Sequence, residues 1–332
     1  MIAPAQEELR KSYVKGILQG DRLVLSKAIT LIESTRQADQ DLANEILSAC
    51  LPHSGQSFRL GITGVPGVGK SSFIEVLGKL LIQKGHQVAV LTVDPSSSKS
   101  GGSILGDKTR MDFLSRSDRA YIRSSPSAGS LGGVARKTRE ASILCEAAGY
   151  NWVLIETVGV GQSEVEVRNM VDFFLLLLLP NAGDDIQGMK KGIVEMADGM
   201  AINKAEGDQL ALAQKSQRFY RQGIHAQQSA FDQWEIPILL CSALEETGFE
   251  EIYETLCRFE ALLKSTQEWE SQRTQQLNFW LDHTLEEGLK HLFFQDKRIM
   301  EKLIYYKSQI MENKISPIYA AREILKFWEE KR

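Results

Sequence analysis

Cysteine is scarce in this chain: four in 332 residues, at positions 50, 145, 241 and 257, with no CxxC pair. A reduced, cytoplasmic setting is expected rather than a disulfide framework. Histidine is equally thin, five in all and no tract, which leaves little for a metal-storing segment. Positive charge is not in excess. Lys and Arg number 39 against 43 Asp and Glu, a net −4, which argues against a nucleic-acid binder. Long apolar runs are missing as well. The most apolar stretch, Val171 to Pro180, is broken by Asp172 and is far too short to span a bilayer, so no membrane partner is expected. The first thirty residues mix acids with bases and hold no apolar signal core. No repeat or low-complexity segment stands out. What is left, 43% hydrophobic and 25% charged, suits one large globular domain with appendages.

Three regions follow from the periodicity. Residues 1–55 carry apolar positions at helical spacing: Val14, Ile17, Leu18, then Leu25, Ala28, Ile29, Ile32, then Leu42, Ile46, Leu47. Ser54-Gly55 marks the break before the next region. Residues 56–263 alternate short apolar runs with helical patterns. Strands are expected at 58–63, 88–93, 119–123, 152–156, 172–179, 199–203 and 236–241. That alternation predicts an α/β fold, a mostly parallel, doubly wound sheet with helices on both faces. Five consecutive leucines, Leu175 to Leu179, suit a strand buried on both sides. Residues 264–332 return to helical spacing (Phe279, Leu281, Leu285, Leu289, Leu292, Phe293, Ile299, Leu303, Ile304), and Ser316-Pro317 has the form of an N-cap followed by a first-turn proline. Such an extension is either a lid on its own core or an arm that embraces a second copy.

The chemistry starts at Gly64-Val65-Pro66-Gly67-Val68-Gly69-Lys70-Ser71, followed by Ser72: Gly, four residues, then Gly-Lys-Ser. A strand candidate runs into this loop and a helical pattern, Ser72 to Gln83, runs out of it. Glycines there let backbone N–H groups face a phosphate, and the helix N-terminus favours its charge. Lys70 would reach the terminal phosphates and Ser71 would ligate magnesium. A plain Gly-rich turn before a helix is the weaker explanation, since loop, Lys and Ser all sit in the required context.

Further residues cluster at strand ends, where open α/β sheets bind ligands. Asp94 closes the run Val88 to Asp94 and is placed to hold magnesium, directly or through water; otherwise it caps a turn before Pro95. The Gly-rich stretch Ser96 to Arg110 contains Asp107, which could approach the same metal. From Lys99 to Arg139 nine Lys and Arg face three Asp. A solvated face explains that better than a phosphate or acidic partner. Glu156 ends Trp152 to Glu156 and precedes Gly159 by three, the acid-x-x-Gly pattern by which nucleotide hydrolases sense a γ-phosphate. Asn203-Lys204-Ala205-Glu206 leaves another strand in the manner of the guanine-reading Asn-Lys-x-Asp, and Ser242-Ala243-Leu244 follows the last strand as a second base loop does. Together they favour guanine over adenine.

These residues closely resemble the MeaB/ArgK family of P-loop GTPases, within the SIMIBI class. The blocks that carry the resemblance are GITGVPGVGKSSF, VLTVDPSSSKSGGSILGDKTRM, ETVGVGQSEVEV, LLLLLPNAGDDIQGMKKGIVEMAD, NKAEGD and CSAL, over residues 55–260. The resemblance implies a GTPase chaperone that gates cofactor loading and protects an adenosylcobalamin-dependent acyl-CoA mutase, chiefly methylmalonyl-CoA mutase, and a homodimer joined by C-terminal helices. An older family name refers to a kinase linked to arginine transport. By the same resemblance Gly64 to Ser72 hold the phosphates of GTP or GDP. Ser71, Asp94, Asp107 and Glu156 surround Mg2+. Asn203, Lys204 and Glu206 hold the base with help from Ser242, Ala243 and Leu244. Residues 184–191 report nucleotide state to the mutase.

Two departures change expectations. Glu206 stands where the family has Asp, one methylene further out, so guanine preference is expected to loosen. Val160 follows the switch glycine where many GTPases carry a water-positioning Gln. Slow intrinsic hydrolysis, accelerated by a partner, is therefore expected. Gln162, or Gln187 and Lys190, would supply the missing group, with Lys70 and Glu156 as the rest of the catalytic set. Two other functions compete. A metal-delivery GTPase would need ligands, and Cys50-Leu51-Pro52-His53 offers two. A kinase would need an acceptor-activating motif, and none is evident.

Overall fold

The computed structural model describes residues 4–94, 111–126, 131–157, 163–180, 191–224, 231 and 233–330. The chain divides into two compact units, Met1–Arg273 and Thr274–Arg332. The N-terminal helices lie in the same unit as the sheet, and the division between the units falls inside a continuous helix, Glu268–Gln295.

Seven strands form the sheet: β1 Phe58–Gly64, β2 Val88–Asp94, β3 Ala120–Pro126, β4 Trp152–Glu156, β5 Phe173–Leu178, β6 Gly199–Ile202 and β7 Ile238–Leu240. Their order is β3-β2-β4-β1-β5-β6-β7, and every pairing is parallel. The leucine run shows why. Alternate residues of a strand point to opposite faces. Leu175 and Leu177 enter one core with Ile62 and Leu154, while Leu176 and Leu178 enter the other with Met200 and Ile202. A strand with two buried faces needs an apolar residue at every position.

Helices α1 Pro4–Leu18, α2 Arg22–Glu33 and α3 Gln37–Cys50 precede the sheet. The Asp21 carboxylate caps α2 by accepting from the N–H groups of Leu23 and Val24. Leu25, Ala28, Ile29 and Ile32 are buried as their spacing requires, whereas Leu18, at the end of α1, is exposed. Helix α4, Lys70–Gln83, follows the glycine loop; then come α5 Asp112–Arg116, α6 Leu131–Ala147, α7 Ser163–Arg168, α8 Lys191–Glu195, α9 Leu210–Ile224 and α10 Phe249–Ser265. Helix α2 packs on β3, the edge strand, and on α6. Arg123 of β3 binds the Glu33 carboxylate, and Lys137 of α6 donates to the Glu33 carbonyl at 2.8 Å. Buried Arg139 donates to Asn169 O at 2.8 Å. The basic stretch expected to be a solvated face is therefore mixed in its described part: Arg123, Lys137 and Arg139 make internal ties, while Arg116 and Arg119 are exposed.

Helix α11, Glu268–Gln295, begins in the first unit. Its Arg273 donates to Asp172 at 2.8 Å and to Ser57 O at 2.8 Å. Asp172 also accepts from Arg59 N at 2.7 Å, so the end of the sheet remote from the glycine loop is sealed by buried charge. The second unit contains the rest of α11 with α12 Lys297–Met311 and α13 Pro317–Glu329. Ser316 caps α13, its hydroxyl accepting from Tyr319 N at 3.1 Å with proline next in the chain. Phe293 and Trp328 meet edge to face at 5.4 Å.

Candidate functional site

Gly64, Asp94, Glu156, Asn203 and Ser242 all lie at or just past the C-terminal ends of their strands, as an open parallel sheet requires of its ligand side. Parallel register sets Glu156 level with Ile62 on one side and Thr92 on the other.

The loop between β1 and α4 is built on positive φ angles: 151° at Gly64, 82° at Gly67 and 94° at Gly69. A side chain fails at two of them for steric reasons too. A Cβ on Gly64 would lie 2.6 Å from Leu177 O, and one on Gly69 would lie 2.8 Å from Asn203 Nδ2. Gly69 caps α4 without a side chain, so the first-turn N–H groups are not claimed by the capping residue. Such a helix start favours an anion. Pro66, Gly67 and Ser72 are exposed, Val65 is half-buried and Val68 is buried.

Lys70 is largely buried, and its ammonium donates to Gly64 O at 2.8 Å. Burial pulls its pKa down, while the charges of Glu156 and Glu164 pull it up. Ser71 Oγ donates to Glu156 Oε1 at 3.3 Å. A hydroxyl and a carboxylate side by side suit a hard cation such as Mg2+. Asp94 ends β2, two strands from the loop. Asp107, Gln162, Gln187 and Lys190, together with Val160 and residues 184–190, lie outside the described residues.

Asn203 is 1% exposed and joins three loops. Its amide donates to Val68 O at 2.9 Å, and its carbonyl accepts from Ala243 N at 3.2 Å. Lys204, at φ 62°, lays its chain over the phosphate loop and donates to Gly67 O at 2.9 Å. Glu206 is half-buried and opens the 3-10 turn Gly207–Gln209. It stands near Cys241, whose thiol is pushed up to about 12 by burial and then by the Glu206 charge. Ser242 is fully buried, and its hydroxyl accepts from Glu245 N at 2.9 Å. Leu244 is 81% exposed.

Three contributors were missed by sequence reasoning. Thr157 donates through its hydroxyl to Thr63 at 2.9 Å and through its N–H to Ile62 O at 3.0 Å, fastening the exit of β4 to the strand that feeds the phosphate loop. Glu164 is a fully buried carboxylate whose field reaches Lys70. Its place within ETVGVGQSEVEV was the available signal. Lys79 of α4 binds Glu246 of the last loop at 2.7 Å, and nothing local announced that pair. The Cys50 and His53 candidates fare differently. Cys50 is buried in α3 with its thiol pushed up to about 11, a poor thiolate donor, while His53 is exposed.

Comparison with known proteins places the chain in a family. Residues 25–298 match the family described as methylmalonyl Co-A mutase-associated GTPase MeaB. The chain is 44% identical over 318 residues to GTPase ArgK of Escherichia coli, covering 95% of each chain. It is 41% identical over 326 residues to the mitochondrial methylmalonic aciduria type A homolog of Mus musculus, covering 95% of this chain and 79% of that one. A crystal structure titled LAO/AO transport system kinase superposes with a TM-score of 0.78 at 35% identity, covering 99% of both chains. This chain, with its glycine-built loop between β1 and α4, belongs to the MeaB family of P-loop GTPases and is itself a GTPase.

Proposed function

We propose that this protein is a GTP-hydrolysing chaperone that gates cofactor loading and protection of an adenosylcobalamin-dependent acyl-CoA mutase, methylmalonyl-CoA mutase being the first client to test. One observation carries the reading. A phosphate loop and a base-reading loop are tied together through Asn203, in a chain whose family is described by its association with that mutase. The output of such a site is a change in loop contacts that a partner reads, since hydrolysis to GDP and phosphate leaves no built product.

The residues have separate tasks. Gly64 to Ser72 present N–H groups to the phosphates, and Lys70 places its charge where the phosphoryl group carries most of its own. Ser71, Glu156, Asp94 and Asp107 would hold Mg2+, which supplies charge neutralisation on the β- and γ-phosphates. Asn203, Lys204 and Glu206 orient the guanine. Val160 offers no group to orient water, so intrinsic turnover is slow and the client raises it, with Gln162 or Lys190 completing the set. A homodimer completes the assembly. Leu277, Leu281, Leu285, Leu289 and Leu292 are all exposed along α11 at spacings of four and three, an apolar stripe suited to a second copy. The setting is cytoplasmic: all four cysteines are free thiols, and among the described residues no helix is long and apolar enough to cross a membrane.

The test is co-purification with the acyl-CoA mutases of the host, followed by GTP hydrolysis with and without each. Binding together with faster hydrolysis supports the reading, and failure with every such mutase refutes it. The kinase title of one structural relative is separated by phosphate release without an acceptor. A kinase would release little.

A further inference from the structure

The loop after β7 is a closed ring. Ser242 and Thr247 exchange two backbone hydrogen bonds, at 3.0 and 3.1 Å. The ring is turned by Glu246 at φ 54° and by Gly248 at φ 82°, where a Cβ would strike Leu240 O at 2.1 Å. Its inner side is held by Asn203 through Ala243 N. On its outer side a contact reaches back across 167 residues. Lys79 Nζ donates to both Glu246 oxygens, at 2.8 and 2.7 Å. Lys79 lies on α4, nine residues beyond Lys70, about 13 Å along the same helix. The contact sits on a wider seam between α4 and α10, which includes Phe73 against Phe249 at 5.0 Å and Lys84 with Glu250 at 2.9 Å.

We infer that Lys79 and Glu246 are positioning residues: their ion pair fixes the second base loop to the helix that binds the phosphates, and so sets how long the protein retains the purine end of its nucleotide. Neither side chain belongs to the phosphate cradle or to the base-reading set. An exposed pair adds little to global stability, because water screens it. Its leverage is geometric. Among the described residues, Asn203 at Ala243 N and Lys79 at Glu246 are the side-chain hydrogen bonds that reach the ring from other elements, so loosening the outer one gives the exposed side of the ring freedom to shift Ala243 against Asn203, while Gly64 to Ser71 keep their own backbone turn.

The inference rests on the guanine-nucleotide reading of the site, and the experiment separates the two. Dissociation of a fluorescent GDP is measured by stopped flow for the wild type, for Lys79→Gln, for Glu246→Gln and for the exchanged pair Lys79→Glu with Glu246→Lys. Inorganic tripolyphosphate, which has no base, is titrated as a competitor. Each single variant is expected to release GDP about three- to fivefold faster and to show a higher KM for GTP at unchanged kcat, with tripolyphosphate affinity unchanged. The exchanged pair is expected to restore wild-type release. Added salt is expected to speed release more from the wild type and the exchanged pair than from the single variants, which retain only the salt dependence of the phosphate contacts. Unchanged GDP release, an equal loss of GDP and tripolyphosphate binding, or no rescue by the exchange would each overturn the inference. A wild type that bound ADP as well as GDP would instead overturn the guanine reading.

Discussion

Replacing Asn203 with Ala cuts the junction on which the site depends. The side chain donates to Val68 O at 2.9 Å, accepts from Ala243 N at 3.2 Å and is 1% exposed. The variant leaves a carbonyl of the phosphate loop and an N–H of the base loop without their partner. Each buried polar group stranded in this way costs about 1–3 kcal/mol. Two such groups put the loss at about 2–6 kcal/mol, toward the lower end because Ala243 is only half-buried and water reaches its N–H. Part of the loss appears as global stability and part as nucleotide affinity, since the same bonds fix the loops that contact both ends of the ligand. Urea unfolding is expected to show a lower midpoint at unchanged slope, because the surface exposed on unfolding hardly changes. Equilibrium GDP binding is expected to weaken by at least about tenfold, equivalent to about 1.4 kcal/mol. A variant that kept GDP affinity within twofold, with a midpoint shift worth less than about 0.5 kcal/mol, would refute the argument and show that each loop holds its own shape.

Other consequences are equally open to measurement. Asp198 is 4% exposed, and its carboxyl is pushed up to about 6 by burial against an ordinary 3.8, opposed by Arg168. A raised folded-state pKa means that stability is fully present below about 4 and is lost as pH rises to about 6. Asp198→Asn is therefore expected to flatten that fall, and an equal loss of stability between about pH 4 and 6.5 in both proteins would disprove it. Leu281→Glu with Leu285→Glu places two carboxylates on the exposed stripe of α11. Sedimentation should then give a monomer that still hydrolyses GTP, and an unaltered dimer would rule this face out. Cys50, Cys145 and Cys241 are buried, with Cys50 pushed up to about 11 and Cys241 to about 12. At pH 8 a thiol reagent should find at most one prompt site, the half-buried Cys257, and prompt labelling of Cys50 would contradict its packing. Glu206→Asp is expected to maintain or sharpen discrimination of GTP from ITP and ATP, and a competition assay showing lost GTP preference would count against Glu206 as the base-reading carboxylate.

The sheet was legible because its strands are buried on both faces. Leu175 to Leu178 needed no partner to be recognised, and six of the seven expected strands fall within two residues of their observed ends, the strand expected at 119–123 running three residues further, to Pro126. The expected 236–241 shortens to Ile238–Leu240, with Pro237, which has no N–H to donate, just ahead of it. The motif residues were legible for a related reason. Phosphate loops demand a fixed local spacing of Gly, Lys and Ser, and local spacing is what a sequence displays. Strand order was not legible, since apolar periodicity states which face is buried and not against what.

Charge was a poorer guide than pattern: Arg116 and Arg119 are exposed as expected, but others of the basic stretch are not. Nine basic residues between Lys99 and Arg139 suggested a solvated face. Yet Arg123 and Lys137 close on Glu33, and Arg139 reaches Asn169, tying α2 and the segment after α7 to the sheet layer. A cation in sequence carries no address. Whether it faces water, a ligand or a buried carboxylate depends on a residue 30 to 104 positions away. The same reasoning applies to Lys79, which has the composition of an ordinary helix surface and gains meaning only when the chain returns to it at Glu246. Function in this fold therefore divides by range. Groups proposed to meet phosphate and base lie in short motifs that the sequence displays. Groups that hold those motifs at their separation are set by long-range pairs, Asn203 with Val68 and Lys79 with Glu246, which no local spacing displays.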